Sequence, residues 1–255
     1  MRNIATSHRS NWPFSESDRS GNSSDSLRHY AGRYFIPVDC RSDNRNLGSR
    51  AKGEIDRQRA VLAKLVAEVA PDRADAISTT LLHAFGSLGR TLSQTLQAQQ
   101  RVLGDEPHVI SLLQSTSCAI EEGLRSDLAA TYVTPNDPAL GRYLIASIGN
   151  LAEETLRVMF MDCACRLLGE SDIARGTVDK LTIYPRVILR RALEFGASAI
   201  LLAHNHPGGS TNPSKGDIDV TRELVKLANA IDIEIEDHLI VTAVGVTSMR
   251  RLGLL

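Results

Sequence analysis

Two histidines separated by one residue, His204 and His206, close an apolar run, and Asp217 follows beyond a loop rich in glycine and proline. In extended backbone, residues i and i+2 project to the same side, so both imidazoles can reach one ion. The stretch Pro207-Gly-Gly-Ser-Thr-Asn-Pro213 can fold back and bring Asp217, in the first turn of the next helix, to the pair. Two nitrogens and one carboxylate oxygen leave a fourth tetrahedral position for water, the pattern of a catalytic rather than a structural zinc. Zinc lowers the pKa of such a water to about 7. Hydrolysis also needs a general base. Glu154 opens a strand read over residues 155–162, at a sheet end facing the site. Glu153 is the alternative, because a one-residue slip reverses the faces of a strand. The hydroxyl of Ser214 is a candidate donor to the oxyanion formed by attack on a carbonyl.

Taken singly, each piece has a plainer reading. His-Asn-His also suits a polar loop, and a lone strand-end glutamate is usually solvated. Ser214-x-x-Asp217 is a capping-box-like helix start that requires no chemistry. The cap and the site are compatible, since a capped helix holds Ser214 and Asp217 rigidly toward the loop. The functional reading rests on the conjunction: apolar strand, His-x-His, seven residues, Ser-x-x-Asp.

A strand must carry the histidines and a helix the aspartate. Residues 198–203 are nearly all apolar, as a buried central strand requires. Ser214 opens a long helix with Ile218, Thr221, Leu224, Ala228 and Ile231 on its inner face. Upstream, residues 156–162 alternate as a strand, 166–174 read as its partner, Gly176-Thr177 as a bend and 180–183 as a short third strand. Pro185 suits the first position of a helix that stops at Gly196. Residues 238–243 return as a strand. Helices alternating with strands around one sheet predict an α/β or α+β domain. Ahead of it, Val61, Leu62, Leu65 and Val66, followed by Val69, fall at helical spacing. Further helices are read over 74–85, 92–102 and 108–125, with turns at 86–89 and 104–107, making a small all-helical domain. Residues 130–142, with Pro135, Asn136, Asp137 and Pro138, read as a linker. The plan is a tail over 1–52, a helical domain over 53–128 and a mixed domain over 131–255.

The tail is rich in Ser, Arg, Asn and Asp and buries too little apolar surface to offset the entropy of ordering, so disorder is expected there. With 255 residues and a formal net charge of -1, the chain has no global attraction to nucleic acid. No apolar run approaches the roughly 20 residues of a membrane span, and the first residues lack the apolar core of a signal peptide. Cys40, Cys118, Cys163 and Cys165 form no paired C-x-x-C array, which reads as a cytoplasmic chain with reduced thiols. Cys163 and Cys165 read as small residues at a strand end rather than soft metal ligands.

The pattern of Glu154, His204-x-His206, seven residues and Ser214-x-x-Asp217 resembles the JAMM (MPN-plus, JAB1-type) metalloprotease motif. The surrounding text is closer still to the RadC family of bacterial proteins. Glu154-Thr-Leu-Arg-Val-Met-Phe-Met-Asp162 resembles its first strand. Arg175-Gly176-Thr177, Tyr184-Pro185-Arg186 and His204-Asn-His-Pro207 resemble its internal signatures, and Asp237-His238-Leu-Ile-Val241 its closing strand. The likeness covers roughly residues 131–255. Residues 62–113 resemble that family's helix-hairpin-helix-like region more loosely, through His83-Ala-Phe-Gly-Ser-Leu88 and Arg101-Val-Leu-Gly104. The resemblance implies a cytidine-deaminase-like α/β fold, the JAB/MPN sheet with flanking helices. It implies zinc on His204, His206 and Asp217, Glu154 as base, Ser214 as oxyanion donor, and a protein or peptide substrate. Gly208 stands where the family usually has serine, Gly216 where it usually has a polar residue, and Val187 where it has an acid; Gly216 is expected to loosen the first helical turn. A DNA-repair role with a vestigial or structural metal site is the alternative. Helix-hairpin-helix modules bind phosphates through glycine-rich hairpin amides, whereas here the hairpin is Gly104-Asp105-Glu106-Pro107, with two acids that repel phosphate. A metal-dependent nuclease is a third reading, but only Lys215 lies near the site to attract phosphate.

Overall fold

The apolar run that ends at the histidines forms β3 (Ala199–Asn205), every residue of which is buried. It is central because both its neighbours are strands: β1 (Glu154–Met161) on one side and β4 (Glu234–Thr242) on the other. β2 (Leu167–Gly176) pairs with the outer edge of β1, and β5 (Gly245–Ser248) with that of β4. The order is β2-β1-β3-β4-β5, with β3 and β4 parallel and every other pair antiparallel. This computed structural model describes residues 44–176 and 184–255. The strand read over 180–183 and nearly all of the tail lie outside the described residues.

Alternation along the strands makes two cores, one on each face. One face carries Leu156, Val158 and Phe160 of β1 with Ile200 and Leu202 of β3. It is covered by α7 (Pro185–Phe195) through Ile188 and Ala192, and by α8 (Lys215–Asn229) through Leu224 and Ala228. The other face carries Met159, Met161, Leu201 and Ala203. It is covered by the end of α5 (Pro107–Ala129), by α6 (Pro138–Leu144) and by a π-helical turn at Ile145–Gly149. The turn lies directly on the backbone of β4, since a Cβ on Gly149 would sit 2.7 Å from the Thr242 carbonyl oxygen. The α/β prediction therefore holds.

The helical array ahead of the sheet comprises α1 (Asn44–Val66), α2 (Ala74–Phe85), α3 (Leu88–Leu92), α4 (Leu96–Leu103) and the first half of α5. Its core gathers Leu62, Val66, Leu81, Leu82, Val109 and Leu113. Several boundaries differ from the sequence reading. α1 begins at Asn44, inside the stretch assigned to the tail, because its first turns are polar and have no apolar periodicity to mark them. The helix read over 92–102 begins only at Leu96, as α4, and α3 starts inside the turn read at 86–89. Ser87 caps α3 by accepting from the Arg90 amide, and Thr95 caps α4 by accepting from the Ala98 amide. The linker contains α6, capped by Asp137, which accepts from the Ala139 amide at 2.8 Å. Asp followed by Pro at the first helical position starts a helix as readily as it marks a loop. Ile231 lies beyond α8 and is 41% exposed, and Ile233 joins the core in its place.

Candidate metal centre

β3 delivers His204 to the sheet face that packs on α8, in register with the core residues Ile200 and Leu202. The His206 amide still donates to the Val241 carbonyl at 2.9 Å, so the parallel ladder runs on to the second histidine. His204 Nε2 and His206 Nε2 lie 2.8 Å apart. Asp217 Oδ1 is 3.4 Å from His204 Nε2 and Oδ2 is 3.6 Å from His206 Nε2. His204 is 1% exposed; the His206 and Asp217 side chains are each 14% exposed. Among the described residues these three form the one group of His, Cys, Asp and Glu side chains able to share an ion.

The donor set fits a divalent metal. His206 Nδ1 faces the Ser210 carbonyl at 2.8 Å. A carbonyl only accepts, so Nδ1 carries the proton and the Nε2 of the neutral ring is a bare lone pair aimed at the site. Metal–nitrogen bonds of 2.0–2.1 Å in a tetrahedron separate the ligand atoms by about 3.3 Å. The two histidine–aspartate separations already match that spacing, and the imidazoles need only part by about half an ångström. Without metal, a proton does the same work. The hydrogen bond to Asp217 is the largest effect raising the His206 pKa above 6.5. Burial pushes the Asp217 carboxyl up, but hydrogen bonds with His204 and His206 outweigh it and hold the group well below the usual carboxylate range.

Asp217 is fixed by the helix it begins. Ser214 Oγ accepts from the Asp217 amide at 3.1 Å, and Asp217 Oδ2 accepts from the Ser214 amide at 2.7 Å, a complete capping box. The cap uses the Ser214 oxygen as acceptor and leaves its hydroxyl proton to donate. Gly216 does not disrupt this turn: the box is closed around it, and a Cβ there would make only an ordinary 3.6 Å contact with Ser214 Oγ. A Cβ at Gly208 would meet open space.

Glu154 opens β1 and is partly buried, two residues before Leu156, which pairs with His204. Alternation therefore puts Glu154 on the face that carries His204. Its charge is among those that raise the His206 pKa. Glu153 lies exposed in the bend ahead of the strand. Cys163 and Cys165 lie in the turn between β1 and β2, away from the His204 cluster, and Cys165 has a φ of 57°.

Three residues of the centre were not singled out by sequence reasoning. Asn205, wholly buried between the histidines, accepts from the Thr155 amide at 2.7 Å. Its side-chain amide donates to the carbonyls of Leu151 and Glu153 at 3.3 and 3.1 Å, fastening the segment that carries Glu154 to β3. His238 Nε2 lies 2.8 Å from His204 Nδ1, and His238 Nδ1 lies 2.7 Å from Thr221 Oγ1. Burial, and then the neighbouring His204, hold the His238 pKa well below 6.5, so this ring is neutral. The signals were a polar residue at the end of an apolar strand and a threonine one turn after Asp217 on a buried helix face.

Residues 135–254 match the RadC-like JAB domain, a region that contains every residue of this centre. A UPF0758 protein of Rhodobacter capsulatus is 34% identical over 179 residues, covering 70% of this chain and 84% of that protein. The chain belongs to the RadC family. The RadC-like region takes in α6, the whole sheet, α7 and α8, and begins after α5. No helix among the described residues is long and apolar enough to cross a membrane.

Proposed function

We propose that this RadC-family chain is a zinc-dependent hydrolase that cleaves amide bonds in protein or peptide substrates. The observation that supports it most is the convergence of two imidazole nitrogens and one carboxylate at a sheet end whose same face carries Glu154. His204, His206 and Asp217 hold the ion, which when bound supplies Lewis acidity toward a carbonyl oxygen and toward water. Glu154 is the general base: it takes a proton from the attacking water and returns it to the departing amine, so water and amide become acid and amine. Ser214 donates its free hydroxyl proton to the oxyanion. Asn205 keeps Glu154 at its station by holding the backbone on either side of it.

The competing role in DNA maintenance has less support. The hairpin before α5 presents Asp105 and Glu106, and Arg73 is already engaged by Glu106. Metal analysis of the purified full chain and of His206→Ala tests the proposal, followed by activity measurement and peptide trapping with Glu154→Gln. Stoichiometric zinc in the wild type, lost in His206→Ala, is the expected result. Glu154→Gln should keep its zinc and lose on the order of a hundredfold or more in turnover. A wild-type protein without zinc, or a Glu154→Gln variant as active as wild type, overturns the reading.

A further inference from the structure

His206 has its outer nitrogen on a carbonyl, but His204 has its outer nitrogen on another histidine, so its tautomer depends on a longer chain of bonds. The chain starts on α8. Thr221 Oγ1 lies within hydrogen-bonding distance of the Asp217 main-chain carbonyl oxygen and 2.7 Å from His238 Nδ1. His238 Nε2 lies 2.8 Å from His204 Nδ1. Thr221, His238 and His204 are all at most 1% exposed, so these are the partners available to them.

The proton positions follow in order. A hydroxyl has one proton and a backbone carbonyl has none. Two bare oxygens that close would repel, so the Thr221 proton goes to the Asp217 carbonyl. Thr221 Oγ1 must then accept from His238, which places the proton of that neutral ring on Nδ1. His238 Nε2 is therefore an acceptor, and His204 donates to it from Nδ1. The Nδ1 proton of His204 is used there, which leaves Nε2, facing His206 and Asp217, as the ring nitrogen that would bind the ion.

We propose that Thr221 and His238 are positioning residues that set the tautomer of His204 and thereby make it a metal ligand. The inference rests on the reading of His204, His206 and Asp217 as a metal centre. The chain begins on the backbone of one ligand and ends on the ring of another, so the turn of α8 that places the Asp217 carboxylate also orients His204. The two histidines thus present the same ring nitrogen to the site by different routes, His206 with Nδ1 on the loop carbonyl of Ser210 and His204 with Nδ1 on the buried His238.

The test uses the full chain stripped of metal, with Thr221→Val, which keeps the shape but removes the hydroxyl, and Thr221→Ser, which restores it. Zinc affinity is read by competition with a chromogenic chelator, and the tautomer by nitrogen NMR of the imidazoles at alkaline pH. Loss of a partner directly behind a ligand typically weakens metal binding 10–100-fold, and Thr221 acts one bond further out, so a loss near the lower end, about tenfold, is expected. Thr221→Val should show that loss and Thr221→Ser should stay near wild type. In the metal-free wild type, His204 should carry its proton on Nδ1. Wild-type affinity in Thr221→Val, or a proton on His204 Nε2 in the wild type, overturns the proposal. If Thr221→Val fails to fold, the wild-type tautomer alone decides. A wild-type chain that binds no zinc sinks the metal reading, while the position of the His204 proton separately supports or overturns the bond chain from Thr221.

Discussion

At the scale of single residues, the proposed metal centre would set a proton and an ion in competition for the same lone pairs. With metal absent, the raised pKa of His206 means that folding takes up a proton there. Its share of stability is fully present below the ordinary value of 6.5 and is lost as pH rises through the raised folded value. With metal present the sign reverses, because a protonated Nε2 cannot bind the ion. Metal should therefore begin to leave at a higher pH than from an unperturbed imidazole. Thermal unfolding of stripped and zinc-loaded protein across the neutral range should show opposite slopes in pH. Parallel slopes would mean that His206 is not a ligand.

At the scale of elements, the strand–loop–helix unit that builds the centre was legible in the chain, because each piece announces itself by a local rule. The apolar run became β3, and Ser214-x-x-Asp217 became the capping box. Conversely, His238 and Thr221 matter only because β4 lies beside β3 and α8 crosses it, and pairings between distant segments leave no periodic trace. The helix boundaries failed for a related reason: Ser87, Thr95 and Asp137 are cap residues, and the same residue types also make turns. Asn205 is the element-scale bond between β1 and β3 near the site. Asn205→Leu strips partners from the Thr155 amide and from two carbonyls, each worth about 1–3 kcal/mol when buried and unsatisfied. A loss of a few kcal/mol in denaturant unfolding is expected, with zinc content unchanged. Unaltered stability would show that this junction is held by other contacts. Ser214→Ala should cost about 1 kcal/mol through the cap alone, measurable in the same experiment.

At the scale of the molecule, α5 belongs to two cores. Val109 and Leu113 lie among the helices of the array, and Leu128 lies under the sheet. Midway, Glu121 is half-buried in the field of Arg157, a β1 residue that pairs with Asp172 at 2.8 Å and stacks over Tyr143. The Asp172 end of this pair is partly open to water, and hydrogen bonds to charged groups are worth about 1.5–3 kcal/mol, so Arg157→Met should lower the unfolding midpoint. A fragment of residues 131–255, which corresponds closely to the RadC-like region, leaves one sheet face without Leu124 and Leu128. It should bind a hydrophobic dye and aggregate where the full chain does neither. The shared helix also bears on how the protein melts. A rod that is structural in both halves cannot loosen in one without exposing the other, so a calorimetric scan should give a single endotherm with equal calorimetric and van't Hoff enthalpies. A boundary between array and sheet bridged by one rod is one that heat should not find, and two separated endotherms would show the halves melting apart.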